Sequence, residues 1–79
     1  MKFITLWDSV IKKEYSVERI LLDNLIARRL EALGITEGTR IIPLTRKKSG
    51  AMIVKVRGTR LALGKNITSN IELSEVQNG

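Results

Sequence analysis

Apolar positions change period along this chain, and each change marks an element. Leu22, Ile26, Leu30 and Leu33 recur at steps of four, four and three, the spacing of a helix with one buried face. Asp23 or Asn24 precedes the run and can accept a hydrogen bond from a free N–H of the first turn. Gly34 follows the last leucine, where a residue without a Cβ can take a left-handed conformation and let Ile35 fold back onto Leu30. Thr36-Glu37-Gly38-Thr39 then reads as a glycine turn leading into a strand, so this helix and the sheet meet at a fixed corner.

Elsewhere the period is two. Residues 14–21 alternate with Tyr15 and Val17 inward, and a bulge can turn in Ile20 or Leu21. Residues 39–47 form a strand that Pro43, lacking an N–H, places at an edge or a bulge. Residues 51–57 put Met52, Val54 and Val56 on one face and Ile53, Lys55 and Arg57 on the other. A tight hairpin at Arg57-Gly58-Thr59-Arg60 follows, with glycine in the first central position of a II′ turn. Residues 60–64 return with Leu61 and Leu63 inward, residues 65–70 make one helical turn pegged by Ile67, and residues 71–73 close the sheet. Phe3, Leu6 (or Trp7) and Val10 share a face at helical spacing and predict a turn or short helix before it all. Residues 74–79 read as a frayed tail. The fold class is mainly β with one inserted helix, a small closed barrel of about five strands, one domain over residues 1–79 with its core at about 14–73. The predicted core is Val17, Ile41, Met52, Val54, Val56, Leu61, Leu63 and Ile71, with Leu30 and Leu33 packed on it.

Composition narrows the chemistry. A chain of 79 residues buries only about 60% of its unfolded surface, so the core is small. The sequence has no cysteine and no histidine, which removes thiolate metal sites, disulfides and the usual neutral-pH base. Its eight carboxylates are scattered, so neither a metal ligand set nor paired acid–base chemistry is indicated, and enzyme activity and a cofactor are not expected. Gly34 to Gly38 is not followed by Lys and Ser or Thr, and it leads from helix to strand, the reverse of a phosphate cradle. No apolar run approaches the roughly 18 residues of a membrane span, and no signal peptide is visible, which predicts a cytoplasmic protein.

Net charge is +6, which suits an acidic partner, an anionic surface or nucleic acid. It also lies within the ordinary range of about 2 to 8 that keeps small domains soluble. Eight cations fall in the sheet half, from Arg40 to Lys65, without an interleaved aromatic residue; base stacking is therefore not served, and nucleic acid is disfavoured.

Two runs carry a family resemblance. Residues 27–39, ARRLEALGITEGT, and residues 56–63, VRGTRLAL, resemble the signature of the FeoA family in order and distance. Thr5, Leu6, Asp8 and Val10 match the family's leading segment loosely, while Gly64 stands where the family commonly has arginine. The resemblance implies an SH3-like barrel and a non-catalytic accessory or regulatory role in bacterial ferrous-iron uptake. The implied partner is the cytoplasmic region of an FeoB-type iron transporter, without insertion of this chain in the membrane; homo-oligomerisation stays open. The family's association with iron is not matched by a ligand set in this chain. Two alternatives share the barrel: a small basic nucleic-acid binder, or a stand-alone relative of the C-terminal domain of iron-dependent repressors. Arg28, Arg29, Arg57 and Arg60 lie within the two matching runs and fill no core, which makes them the candidate partner-binding residues. The competing account of Arg28 and Arg29 is a solvated helix face with an Arg28–Glu31 pair. Gly34, Gly38 and Gly58 are read as structural turns.

Overall fold

A computed structural model describes residues 3–76. The order of elements is β1 (Ile4–Thr5), β2 (Tyr15–Ile20), α1 (Asn24–Ala32), β3 (Arg40–Arg46), β4 (Ala51–Val56), β5 (Thr59–Gly64), α2 (Lys65–Thr68) and β6 (Ile71–Glu75). The strands form one antiparallel sheet in the order β1-β6-β2-β3-β4-β5, so the sheet has six strands where five were expected. Ladder pairing does not close it: β1 and β5 remain its two edges.

The missed strand is the shortest. Ile4 and Thr5 pair with Leu73 and Glu72 at the other end of the chain, and two residues are too few to show a period. The chain then turns, with Ser9 N donating to Leu6 O (3.2 Å). Leu6 alone of the three predicted inward residues is buried; Phe3 and Val10 are exposed. The segment from Leu6 to Lys13 is tied across the sheet by main-chain bonds from Trp7 N to Thr68 O (3.2 Å) and Lys12 N to Pro43 O. Arg46 fastens it further, donating from Nε to Trp7 O (2.6 Å) and from its fork to Ser9 O.

Both predicted irregularities occur. The β2–β6 register shifts between Val17 and Arg19, which leaves Ile20 half-buried and Leu21 exposed. The β3–β4 register shifts between Pro43 and Thr45, so Pro43 sits at a bulge and needs no donor there. The closing strand β6 is longer than expected: Ser74 and Glu75 pair with Ser16 and Tyr15, and only Gln77 to Gly79 of the predicted tail lie outside the described residues.

The core comprises Leu6, Tyr15, Val17, Leu30, Ile35, Ile41, Met52, Val54, Val56, Leu63, Ile71 and Leu73. Leu61 is only half-buried beside it. Leu33 corrects the expectation: it is 51% exposed, while Leu30 is 4% exposed. The reason lies in the cap. Leu33 is the last αR residue, and the chain reverses at Gly34 (φ 93°), so Ile35 fills the place over the core that Leu33 was expected to hold.

Candidate functional site

The corner begins with helix α1. Asp23 is its N-cap, its Oδ1 accepting from Ile26 N (3.0 Å). At the other end Ile35 N donates to Leu30 O (2.8 Å) and Gly34 N to Glu31 O (2.9 Å), the paired bonds of a Schellman cap. Leu30 and Ile35, both buried, supply its apolar contact. The next turn is bolted to the sheet: Gly38 N donates to Val17 O (2.7 Å) and Val17 N to Thr39 O (2.9 Å). Thr39 was not singled out from the sequence, yet its buried hydroxyl donates to Gly34 O (3.2 Å) and accepts from Thr36 N (3.1 Å). Nothing in a lone threonine after a glycine turn signals this role.

The β4–β5 hairpin reaches the same corner. Val56 pairs with Thr59, so the loop is the two residues Arg57 and Gly58, with φ of 52° and 79°. Positive φ at both positions is the I′ turn, with glycine second; it replaces the expected II′ turn with glycine first. Arg57 therefore holds a left-handed conformation uncommon for a residue with a side chain. Its side chain crosses to the helix cap: a Cβ on Gly34 would lie 3.4 Å from Arg57 Cδ and 3.8 Å from Val56 Cγ1. Gly34 is thus required by its φ, and the arginine stem runs beside it at ordinary contact distance. A cation beside a helix C-terminus is also favourably placed.

The four candidate arginines fall on two patches. Arg28 and Arg29 are exposed on α1, flanked by exposed Leu25 and Leu33. No Arg28–Glu31 ion pair within 4 Å forms among the described residues, which removes that part of the bland account. Arg57 and Arg60 are exposed on the hairpin. Beside them lies a shallow depression of about 480 Å³ lined by Glu14, Thr39, Arg40, Ile42, Lys55 and Arg57, with Gly38 and Gly58 at its margins. A second groove of about 390 Å³ lies between α1 and β2, with an apolar floor of Ile20 and Ile35 and a rim of Glu31 and Glu37. The corner thus carries charge of both signs on different faces.

Aromatic rings are used structurally. Tyr15 is buried and its hydroxyl accepts from Val10 N (3.0 Å); the Trp7 ring is approached by the cations of Lys65 (5.1 Å) and Arg46 (5.9 Å). No aromatic side chain lines the basic depression. Elsewhere Glu75 holds the Lys13 ammonium above its usual pKa through a direct hydrogen bond, a clamp on β6 away from this surface. Among the described residues no group of three His, Cys, Asp or Glu side chains could hold a metal ion. No helix there is long and apolar enough to cross a membrane.

One antiparallel sheet of six strands with a capped helix inserted after the second defines a small SH3-like fold. The chain belongs to the FeoA family: the FeoA domain matches residues 4–75. An iron uptake regulatory protein (FeoA) superposes with a TM-score of 0.83 at 24% identity, over 96% of this chain and 100% of that one. The FeoA-like protein from Clostridium acetobutylicum gives 0.82 at 24%, over 100% of this chain and 93% of that one. The same fold occurs in a manganese-dependent transcriptional repressor in complex with manganese, with a TM-score of 0.87 at 23% identity over 96% of this chain and 38% of the repressor. No curated protein matches the chain in sequence.

Proposed function

We propose that this protein is a non-catalytic accessory module of bacterial ferrous-iron uptake that docks, in the cytoplasm, on an FeoB-type transporter. Membership of the FeoA family supports the iron-uptake setting. The observation that carries the docking surface is the meeting of the two family-like runs, where the Arg57 stem lies against Gly34 and anchors the hairpin arginines beside the helix corner. Arg28, Arg29, Arg57 and Arg60 are exposed, and none is in an ion pair among the described residues. Ordering four long side chains costs rotamer entropy, which bidentate hydrogen bonds to partner carboxylates offset. Exposed Leu25 and Leu33 add apolar area on the same helix as Arg28 and Arg29.

The test is capture of the transporter's cytoplasmic region by wild type, Arg28→Glu and Arg57→Glu. Both reversals are expected to weaken capture several-fold and to leave Trp7 fluorescence and the melting temperature nearly unchanged. Raising salt weakens the wild-type complex as well. Capture undiminished by both reversals would place docking on another face and return the arginines to solvated charge. A second reading rests on the same fold occurring in a manganese-dependent transcriptional repressor: the chain would be a stand-alone relative of the SH3-like domain of such repressors and would act on a metal-dependent regulator. Absence of any transporter capture, with binding to such a regulator, would select it.

A further inference from the structure

The basic depression contains an arrangement that docking through the four arginines does not explain. On the outer face of the sheet, Lys55 stands directly opposite Arg60 on β5 and opposite Ile42 on β3. Like charges facing each other across an antiparallel ladder destabilise it. Nothing in the fold relieves the cost here: Lys55, Arg57 and Arg60 form no ion pair among the described residues, and the one carboxylate present, Glu14, is engaged with Arg40 at 3.3 Å. Three cations against one carboxylate leave the lining with a net charge of +2.

The shape is that of a basin. Its margins are the turns at Gly38 and Gly58, and a Cβ built on either would meet nothing within 4 Å, so open space stands over both stretches of bare backbone. The depression, about 480 Å³, is open to solvent and has room for a compact anion. The Arg57 stem runs along the Gly34 cap, which narrows the conformations open to its fork. Arginine forks pair with phosphate oxygens by two parallel hydrogen bonds, and lysine adds a point charge.

We propose that the depression between β3, β4 and the Arg57–Gly58 turn is a binding site for a phosphate-class anion carrying at least two negative charges, held by Lys55, Arg57 and Arg40. Arg60, opposite Lys55, strengthens the field without lining the basin. The site shares Arg57 with the docking surface but does not depend on docking, because Lys55 and Arg40 are outside that set.

Titration calorimetry with pyrophosphate at low salt tests it on wild type, Lys55→Gln, Arg57→Asn, Lys48→Gln and Arg28→Glu. Asparagine at 57 keeps a residue that tolerates positive φ while removing the guanidinium. The expected result is one site, weakened about tenfold by Lys55→Gln and by Arg57→Asn, and unchanged by Lys48→Gln and Arg28→Glu, both outside the basin. Adenosine triphosphate and vesicles containing phosphatidic acid then identify the source. Triphosphate binding with the same variant pattern marks a soluble ligand, and vesicle sedimentation lost in Lys55→Gln marks a lipid headgroup; either supports the site. No pyrophosphate binding by wild type, or equal loss in Lys48→Gln, overturns it by reducing the basin to diffuse surface charge. Arg28→Glu separates the two proposals, since it impairs docking alone.

Discussion

Leu30→Ala and Leu33→Ala, made separately, ask whether the helix is oriented on the sheet as the cap requires. The two leucines share the helix and differ in burial, 4% exposed against 51%. Truncating a buried leucine loses its transfer free energy and leaves a cavity, together about 2 to 5 kcal/mol. Leu30 is also the residue that Ile35 folds onto, so its loss loosens the cap as well. At roughly 0.05 to 0.15 kcal/mol per residue, a chain of 79 residues has about 4 to 12 kcal/mol in total. Leu30→Ala therefore removes a large share. With a shift of about 4 to 8 °C per kcal/mol for a domain of this size, a 3 kcal/mol loss lowers the melting temperature by roughly 12 to 24 °C. Leu33→Ala is a surface change and stays within about 0.5 kcal/mol. Urea unfolding followed by Trp7 fluorescence, with the slope held common, measures both. A Leu33→Ala loss equal to that of Leu30→Ala would mean that the helix is rotated about its axis and that the cap geometry described above is wrong.

Gly34→Val should destabilise more than Gly34→Asn, because a β-branched residue at φ 93° is strained, whereas asparagine tolerates positive φ; equal melting temperatures would count against the cap. The Arg57 stem lies 3.4 Å from where the new Cβ would stand, so Arg57→Asn should couple to either variant in a double-mutant cycle, and strict additivity would deny the contact. Ferrous iron and zinc should show no stoichiometric micromolar site by calorimetry on the isolated protein, since the sequence has neither histidine nor cysteine and its carboxylates do not cluster among the described residues. A saturable site of that strength for either metal would reverse this.

The elements legible in the sequence are those whose information is local. A helix ended by glycine, a proline that cannot donate to a ladder and an alternating Met52-Ile53-Val54-Lys55-Val56 run each state their structure within a few residues, and each was found in place. The misses are non-local. Leu6 enters the core because β1 pairs with β6 at the far end of the chain, and Leu73 of β6 is buried between Ile4 of β1 and Val17 of β2. No window around residue 5 contains that fact. Leu33 was misplaced because period alone continues the helical stripe to the last leucine, whereas the reversal at Gly34 hands the buried position to Ile35. The same glycine was correctly read as a cap, and its consequence for the next residue was only half drawn.

The candidate site divides along the same line. That Arg28, Arg29, Arg57 and Arg60 would be exposed follows from patterning alone, since each falls off the apolar period. That Arg57 would reach the helix cap does not, because it depends on which two-residue turn the hairpin adopts. A II′ turn would have put glycine first and left the arginine in the strand. The I′ turn instead puts Arg57 at φ 52°, in the left-handed region that Lys12 (φ 71°) also occupies, and its stem then lies beside Gly34. Positive φ at both loop positions is what an I′ turn requires. In this fold the Arg57 stem and Nε lie beside the Gly34 cap while the residue also lines the basic depression, so one residue ties helix, hairpin and candidate ligand site together. Substitutions at Arg57 should therefore weaken docking and anion binding together, whereas substitutions at Lys55 should weaken anion binding alone.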